Sequence, residues 1–476
     1  MRKKIFGVVL TLLISVVSIN GVQAANYNWH EFLANNVINK QTPVTKDTIS
    51  LSWLQNFLNG QLYAYNTNPI IEDGYVYIAV DNTLYKLDSN SGNVLASTTL
   101  DASIGYNAYL ASGSQMIFVA LGNGKIQAFD SQNLNSLWLS IAQNGNLVSP
   151  LTYYNGYLYT GTTIYDDNYN VVGGKYYALE VSDEDISLPN EEKTNSWEYD
   201  LQQGGYYWSK SSVINDHLVF VSTKGTLVSK DLTSGKETAL NLDNNQTLIY
   251  SGVCYGDGSL YIGSKTGKIY QVTLDENGGF DTYQTITVLQ GTASITGTPA
   301  YYNNTLYFGG QIGSNFDAPG FVAKMDTNTH QINTIETLAN VQSSILLTTG
   351  YDEAIYGYYT VNNYPGGISV FKDTGDSFTS EMIYEPQDNY QNYTTASVIS
   401  DGQKLYYTND SATLFALEKN EIVVKVPGPV EDVPAVETTN NDKTTTAVKT
   451  GDDQITGVLY MMIISAGAYF LIKKYA

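Results

Sequence analysis

From residue 69 onward the chain alternates short apolar runs with turn residues. Pro69-Ile-Ile-Glu-Asp-Gly74 leads into Tyr75-Val-Tyr-Ile-Ala-Val80, then Asp81-Asn82, Thr83-Leu-Tyr-Lys-Leu-Asp88, Ser89-Asn-Ser-Gly92 and Asn93-Val-Leu-Ala-Ser-Thr98. Runs of about six residues are too short for helices, and Asp-Gly, Asp-Asn and Asn-Ser-Gly supply residues that tolerate the left-handed backbone region. The pattern predicts a four-stranded antiparallel meander. Tyr75 to Val80 is apolar at nearly every position, whereas a sheet with one wet face alternates apolar and polar residues. Both faces are therefore covered, which a lone meander cannot do for itself. It needs copies on either side.

The same order of strands and turns recurs from Ala111 to Trp138, Ser149 to Trp197, Ser212 to Gly235, Gly256 to Gly278, Pro299 to Asp326, Tyr351 to Asp373 and Ser400 to Glu418. The spacing is roughly 37 to 60 residues, the period of propeller blades. The longest gap holds an acidic insertion, Val181 to Asn195. The count is eight, or seven if the weakest copy, Tyr351 to Asp373, is not a repeat. The last copy has three strands and stops at Glu418, and an orphan strand, Thr48-Ile-Ser-Leu-Ser-Trp53, has no hairpin partner beside it. This pair of facts predicts that the N-terminal strand completes the last blade and closes the ring, removing a free sheet edge. Residues 25–47 show no clear period and read as a loop or short turn. The fold expected is all-β: an eight-bladed (or seven-bladed) β-propeller of four-stranded antiparallel blades over residues 25–422.

The two ends have different compositions. Arg2-Lys3-Lys4, the apolar run Ile5 to Val17 and Val22-Gln-Ala24 form a secretion signal, residues 1–24, with cleavage after Ala24. Residues 423–454 are rich in Pro, Thr and charge and predict a disordered stalk. Residues 455–472 form an apolar run of about 27 Å as a helix, enough to reach across a bilayer core as a transmembrane segment. Lys473-Lys474 follow and place 473–476 on the cytoplasmic side. A thiol for lipid attachment is lacking near Ala24, because the single cysteine is Cys254, which reads as a small core residue inside a repeat. With 46 acidic against 24 basic residues the formal charge is −22, which disfavours nucleic acid as a partner and suits an exported, soluble domain.

Candidate chemistry is sparse. Asp166-Asp167-Asn168 and Asp275-Glu-Asn-Gly278 could offer oxygens to calcium, but neither has EF-hand spacing, and turn chemistry accounts for both. Tyr206-Tyr207-Trp208 and Tyr153-Tyr154 could stack on sugar rings, whereas the plainer account of the 40 tyrosines is rings buried between blades with hydroxyls finding partners. The chain has neither a phosphate-binding Gly-rich loop after a strand nor a serine elbow.

Leu84-Tyr-Lys-Leu-Asp88-Ser-Asn-Ser-Gly92 and Val228-Ser-Lys-Asp231-Leu-Thr-Ser-Gly235 resemble the repeat of quinoprotein-type (PQQ-repeat) propellers, a strand ending in Asp, a Ser/Thr-Gly turn and a strand with tryptophan. Trp138 and Trp197 are similar to that family's docking tryptophans, which pack on the next blade's turn. The family's enzymes bind pyrroloquinoline quinone and calcium through an adjacent cysteine pair, a stacking tryptophan and a carboxylate base. This chain lacks the cysteine pair, and His30, His217 and His330 are scattered. It looks closer to the cofactor-free surface propellers of Gram-positive bacteria, so the expectation is no catalytic residue, no cofactor and no metal. The C-terminal order of short Thr-Gly motif, apolar span and basic end resembles a sortase signal, with Thr450 joined to the wall after cleavage of the Thr450-Gly451 bond. Ala447-Val448 stands where that family has Leu-Pro, and a plain membrane anchor is the other reading.

The function expected is a surface-displayed, non-catalytic module binding a glycan, peptide or protein, with a glycan- or alcohol-active enzyme and an envelope-assembly scaffold as rivals. An enzyme should show converging carboxylates with shifted pKa values, a binder an aromatic patch, and a scaffold neither. The expected site is the mouth of the axial channel, walled by the 161–174, 181–195 and 310–319 insertions.

Overall fold

The computed structural model describes residues 27–420, apart from 34–36, 39–43, 59–60, 62, 202, 290–292 and 351. The chain divides into two units, Met1–Ile422 and Val423–Ala476, and the described residues all lie in the first. The expected secretion signal with Ala24, the expected stalk, Thr450, Gly451, the expected membrane run 455–472 and the basic end lie outside them. Among the described residues no helix is long and apolar enough to cross a membrane.

The described chain is all-β and forms eight small sheets, one for each repeat. In the first blade Ile70–Glu72, Tyr75–Val80, Thr83–Asp88 and Val94–Thr99 pair antiparallel in sequence order. Burial follows position: Tyr75–Val80 is buried almost throughout, whereas Val94–Thr99 is largely exposed. The first strand of each blade thus lies nearest the axis and the fourth at the perimeter. Blade four (Ser212–Asn241) and blade five (Cys254–Thr287) repeat this order without additions.

The expected closure is present. Ile49–Asn56 pairs antiparallel with Thr413–Lys419, with Trp53 opposite Ala416, and supplies the fourth strand of the eighth blade. One apolar cluster contains Trp53, Val76, Ile78, Tyr358, Tyr406 and Ala416, so blades seven, eight and one share a core. Six further clusters fill the remaining interfaces between successive blades. The ring therefore closes through hydrophobic burial at every interface.

Polar ties repeat between blades. Trp53 Nε1 donates to the Ser89 carbonyl of blade one and Trp138 Nε1 to the Val181 carbonyl of blade three. Trp138 thus docks as expected, and Trp53 is a further docking tryptophan. Trp197 instead donates to the Glu237 carboxylate, under the Lys230 ammonium. Tyrosine hydroxyls act the same way: Tyr77 reaches the Ser131 carbonyl, Tyr406 the Ser89 carbonyl and Tyr307 the Asp373 carboxylate. A Cβ on Gly92, which also has φ +71°, would lie 2.5 Å from the Trp53 ring, so the turn needs glycine to receive the indole.

An up-and-down meander places its turns at alternate ends. The first hairpin turn and the third-to-fourth turn meet at one face, as in Ser89 N–H to Gly74 carbonyl and Val181 N–H to Gly156 carbonyl. The second hairpin turn meets the blade-to-blade connection at the opposite face, as in Leu100 N–H to Asn82 carbonyl and Leu242 N–H to Gly225 carbonyl. We call these the upper and lower faces.

Two stretches differ from the sequence expectation. Residues 25–47 are more than a lead-in: Trp29 bridges to Ile71, Glu31 to Ala111, and Val37–Ile38 adds a parallel strand on the axial side of blade seven. The 181–195 insertion does not wall the channel. Its Glu191–Lys193 pairs parallel with Ser136–Ser140, the outer strand of blade two, and so covers a perimeter edge.

Candidate functional site

Near the upper face the axis is crossed by the chain's own N-terminal segment. Tyr27 N–H bonds the Asp401 carbonyl of blade eight, Trp29 pairs with Ile71 of blade one, and the His30 carbonyl accepts Ser112 N–H of blade two. Glu31, only 8% exposed, accepts Tyr153 N–H of blade three with one oxygen and pairs with the Lys210 ammonium of blade four at 2.7 Å with the other. A cavity of about 440 Å³ lies beside this strap, lined by His30, Glu31, Glu72, Asp73, Ser112 and Tyr153 among others. Its side chains satisfy one another. Glu72 Oε2 lies 2.6 Å from His30 Nδ1 and also accepts Ser112 Oγ at 2.7 Å. In a nucleophilic triad the imidazole stands between hydroxyl and acid; here Ser112 Oγ bonds the acid directly and lies 3.5 Å from the same His30 Nδ1 that bonds the acid, which is not the triad order.

Closer to the lower face, residues two places ahead of the inner strands of blades five to eight and one form a girdle. Gly252 N–H donates to Thr298 Oγ1, Thr298 N–H to Ser344 Oγ, Ser344 N–H to Ser397 Oγ and Ser397 N–H to Asn68 Oδ1. Two residues further out, the mouth has two unlike sides. Tyr106, Trp208 and Tyr250 stand on one side, on the connections into blades two, four and five, and Thr296, Gln342 and Thr395 on the other. Tyr207 lies 4.6 Å from Tyr250 and 4.8 Å from Trp208 between ring centroids, and Trp208 lies 6.1 Å from Tyr250. Tyr106, 56% exposed, lies 6.1 Å from Tyr65. Burial raises the Tyr207 hydroxyl pKa far above its usual value, and Tyr106, Tyr165 and Tyr250 add to the rise, so these phenols converge from four blades. The Lys265 ammonium sits 4.6 Å from the Tyr250 ring centre.

The 161–174 and 310–319 insertions do meet this mouth. Tyr165 comes from the first, and Phe316 of the second lies 5.8 Å from Tyr393 on the connection into blade eight. Asp410, on a lower-face turn near Tyr106, has surface open to solvent yet is surrounded by protein, which pushes its carboxyl up to about 6. Of the aromatic run singled out in the sequence, Tyr207 and Trp208 reach the mouth, while Tyr206 is buried against Tyr176 and Phe220 between blades three and four. Tyr153 instead lines the upper cavity.

The remaining sequence candidates are structural. Asp166 accepts the N–H groups of Asn168 and Asn170, and Asp275 those of Asn277 and Gly279, which is turn chemistry. Cys254 is buried and its thiol is pushed up to about 12 by desolvation, so it is unreactive. Pyrroloquinoline quinone with calcium does not fit these residues. No group of three His, Cys, Asp or Glu that could hold a metal occurs among the described residues, Cys254 has no neighbouring thiol, and Lys210 on the axis is neutralised by Glu31.

Comparison with curated proteins gives no match. A PQQ-repeat family model described as outer membrane protein assembly factor BamB matches residues 50–278. Among solved structures, BamB from Moraxella catarrhalis is similar at 11% identity and TM-score 0.53, covering 78% of this chain and 99% of that one. Quinohemoprotein alcohol dehydrogenase from Comamonas testosteroni aligns at 10% identity and TM-score 0.61, covering 87% and 84%. Saccharomyces cerevisiae Sqt1 aligns at 13% identity and TM-score 0.55, covering 81% and 100%. These likenesses carry the fold, an eight-bladed β-propeller, and residues 50–278 are similar to the PQQ-repeat family.

Proposed function

We propose that the protein is a non-catalytic binding module, exported and held at the cell surface by its C-terminal segment, with its ligand site at the lower mouth of the propeller. The observation that carries this reading is the cluster of Tyr106, Tyr207, Trp208 and Tyr250, aromatic side chains brought from separate blades to the axis. Surface aromatics collected at one opening offer large contact area at low entropic cost, the composition of recognition sites. Catalysis is disfavoured by the carboxylates. Asp410 is raised by desolvation alone, with no neighbouring charge contributing, and a glycosidase needs a pair. At the upper cavity Glu72 is held below its usual range by His30 and Ser112, against the effect of burial, which makes it a poor base.

A second reading, protein assembly, is favoured by the match of residues 50–278 to a family described as an assembly factor. One experiment addresses both. The full-length chain is applied to glycan and peptide arrays, with and without calcium, beside Trp208→Ala. Binding to either array that Trp208→Ala abolishes is the expected result. Binding that survives this substitution would move the site elsewhere, and turnover of alcohols with an artificial quinone acceptor would overturn the non-catalytic reading.

A further inference from the structure

We propose that the lower mouth takes a neutral saccharide, one pyranose ring lying on the Tyr207–Trp208–Tyr250 cluster with its hydroxyls turned toward the neighbouring polar connections into blades six and seven. This rests on the reading of the mouth as a ligand site and deepens it. A pyranose has an apolar C–H face and a rim of hydroxyls that both donate and accept. The mouth is divided the same way, with aromatic rings on the connections into blades four and five and Thr296 and Gln342 next to them around the ring, on the connections into blades six and seven. A peptide segment or a flat apolar surface has no reason to prefer that division.

The polar atoms at this level sharpen the assignment. Trp208 Nε1, Ser209 Oγ and Thr296 Oγ1 are buried and have no hydrogen-bond partner within the protein. Such groups cost free energy unless something outside the chain satisfies them, and nearly all buried polar atoms in folded proteins are satisfied. One is a donor only and two can donate or accept, which suits hydroxyl groups better than a carboxylate or an ammonium. Trp208 is also held at φ +59°, a left-handed conformation that is an outlier for a bulky side chain, by its N–H bond to the Val148 carbonyl. The strained backbone sets the indole beside Tyr207 and Tyr250.

The test titrates the full-length chain with cellotetraose and with triacetylchitotriose, following tryptophan fluorescence and saturation-transfer NMR. A tetragalacturonate and an unrelated hexapeptide serve as charged and non-saccharide probes. Neutral saccharides are expected to bind, with ring C–H protons receiving the strongest transfer. Tyr250→Ala should weaken binding about tenfold through lost stacking, and Thr296→Val and Trp208→Phe by a few-fold each through lost hydrogen bonds. Tyr250→Ala and Thr296→Val guard against the chance that changes at Trp208 disturb folding, which circular dichroism checks. If the hexapeptide alone binds and Tyr250→Ala weakens it, the saccharide assignment is overturned while the mouth remains a site. If saccharides bind with affinity indifferent to Tyr250→Ala and Thr296→Val, both the assignment and the location fall.

Discussion

His30 lies on the strap and faces three carboxylates, Glu31, Glu72 and Asp73, of which Glu72 makes the direct contact. The hydrogen bond to Glu72 is the largest influence on the imidazole and raises its pKa above 6.5, against desolvation. Burial pushes Glu72 up, but the bonds from His30 and Ser112 outweigh it and hold the carboxyl below 4.5. The signs then fix a window. Stabilisation through His30 is complete below its unfolded value of 6.5 and disappears as pH rises through the raised folded value; stabilisation through Glu72 is complete above 4.5 and disappears as pH falls through the lowered one. The pair therefore contributes fully between those limits. Wild-type protein should melt above His30→Gln by a margin that is largest near about pH 5.5 and vanishes once the pH has risen through the raised His30 value, a modest margin because the imidazole is half exposed. A margin constant across that range would show that the contact acts through shape and not charge.

At the scale of elements, the strap and the girdle divide the ring between them. The girdle of N–H to side-chain oxygen bonds ties blades five through eight and then blade one. At the same position blades two, three and four carry Ala108, Pro150 and Lys210, which have no side-chain oxygen to accept, and Pro150 has no N–H. Residues 27–31 bond across that half, to Ile71, Ser112, Tyr153 and Lys210. Glu31→Gln would leave the Lys210 ammonium buried beside a neutral group and should cost about 3–5 kcal/mol in denaturant unfolding. The Glu31→Gln, Lys210→Met double variant should recover much of that loss, since no unpaired buried charge is left while the Gln oxygen can still accept Tyr153 N–H. A cost below about 1 kcal/mol for the single change would mean the strap is not part of the ring's stability. The strap was illegible in the sequence for a physical reason. Its pairings are isolated bridges, Trp29 to Ile71 and Glu31 to Ala111, and a segment that touches each blade once has no period to read. The seventh blade was faint for another reason: its strand Ile355–Thr360 and its partner Ile368–Asp373 are separated by a turn longer than those of blades one, two, four, five and eight, so the repeat is stretched, as blades three and six are by their insertions. The mouth was half visible. Tyr207 and Trp208 stood out as adjacent aromatics, whereas Tyr106 and Tyr250 are single tyrosines among 40, and only the ring's symmetry brings them together.

For the whole molecule the decisive element was readable, because closure follows from counting strands: three from Ile399 onward, and Ile49–Asn56 left over near the start. Its energetic weight comes from what that one strand joins. Ile49–Asn56 completes the sheet of blade eight, and through Trp53 it also docks on the Ser89 turn of blade one, so the same segment seals an edge and an interface. Two variants separate these roles. Trp53→Ala keeps the strand and loses the dock, and should cost about 3–5 kcal/mol while unfolding stays a single transition. Deleting residues 48–56 removes both, exposes the backbone edge of Thr413–Lys419, and leaves blades one and eight joined through Tyr406 to Ser89, Ser397 to Asn68 and the rest of their shared core. That variant should lose the cooperative melt altogether and self-associate through the bare edge in size-exclusion chromatography. If it remained monomeric and melted within a few degrees of wild type, the seven complete blades would be holding the ring shut by burial alone, and the borrowed strand would serve only to protect an edge.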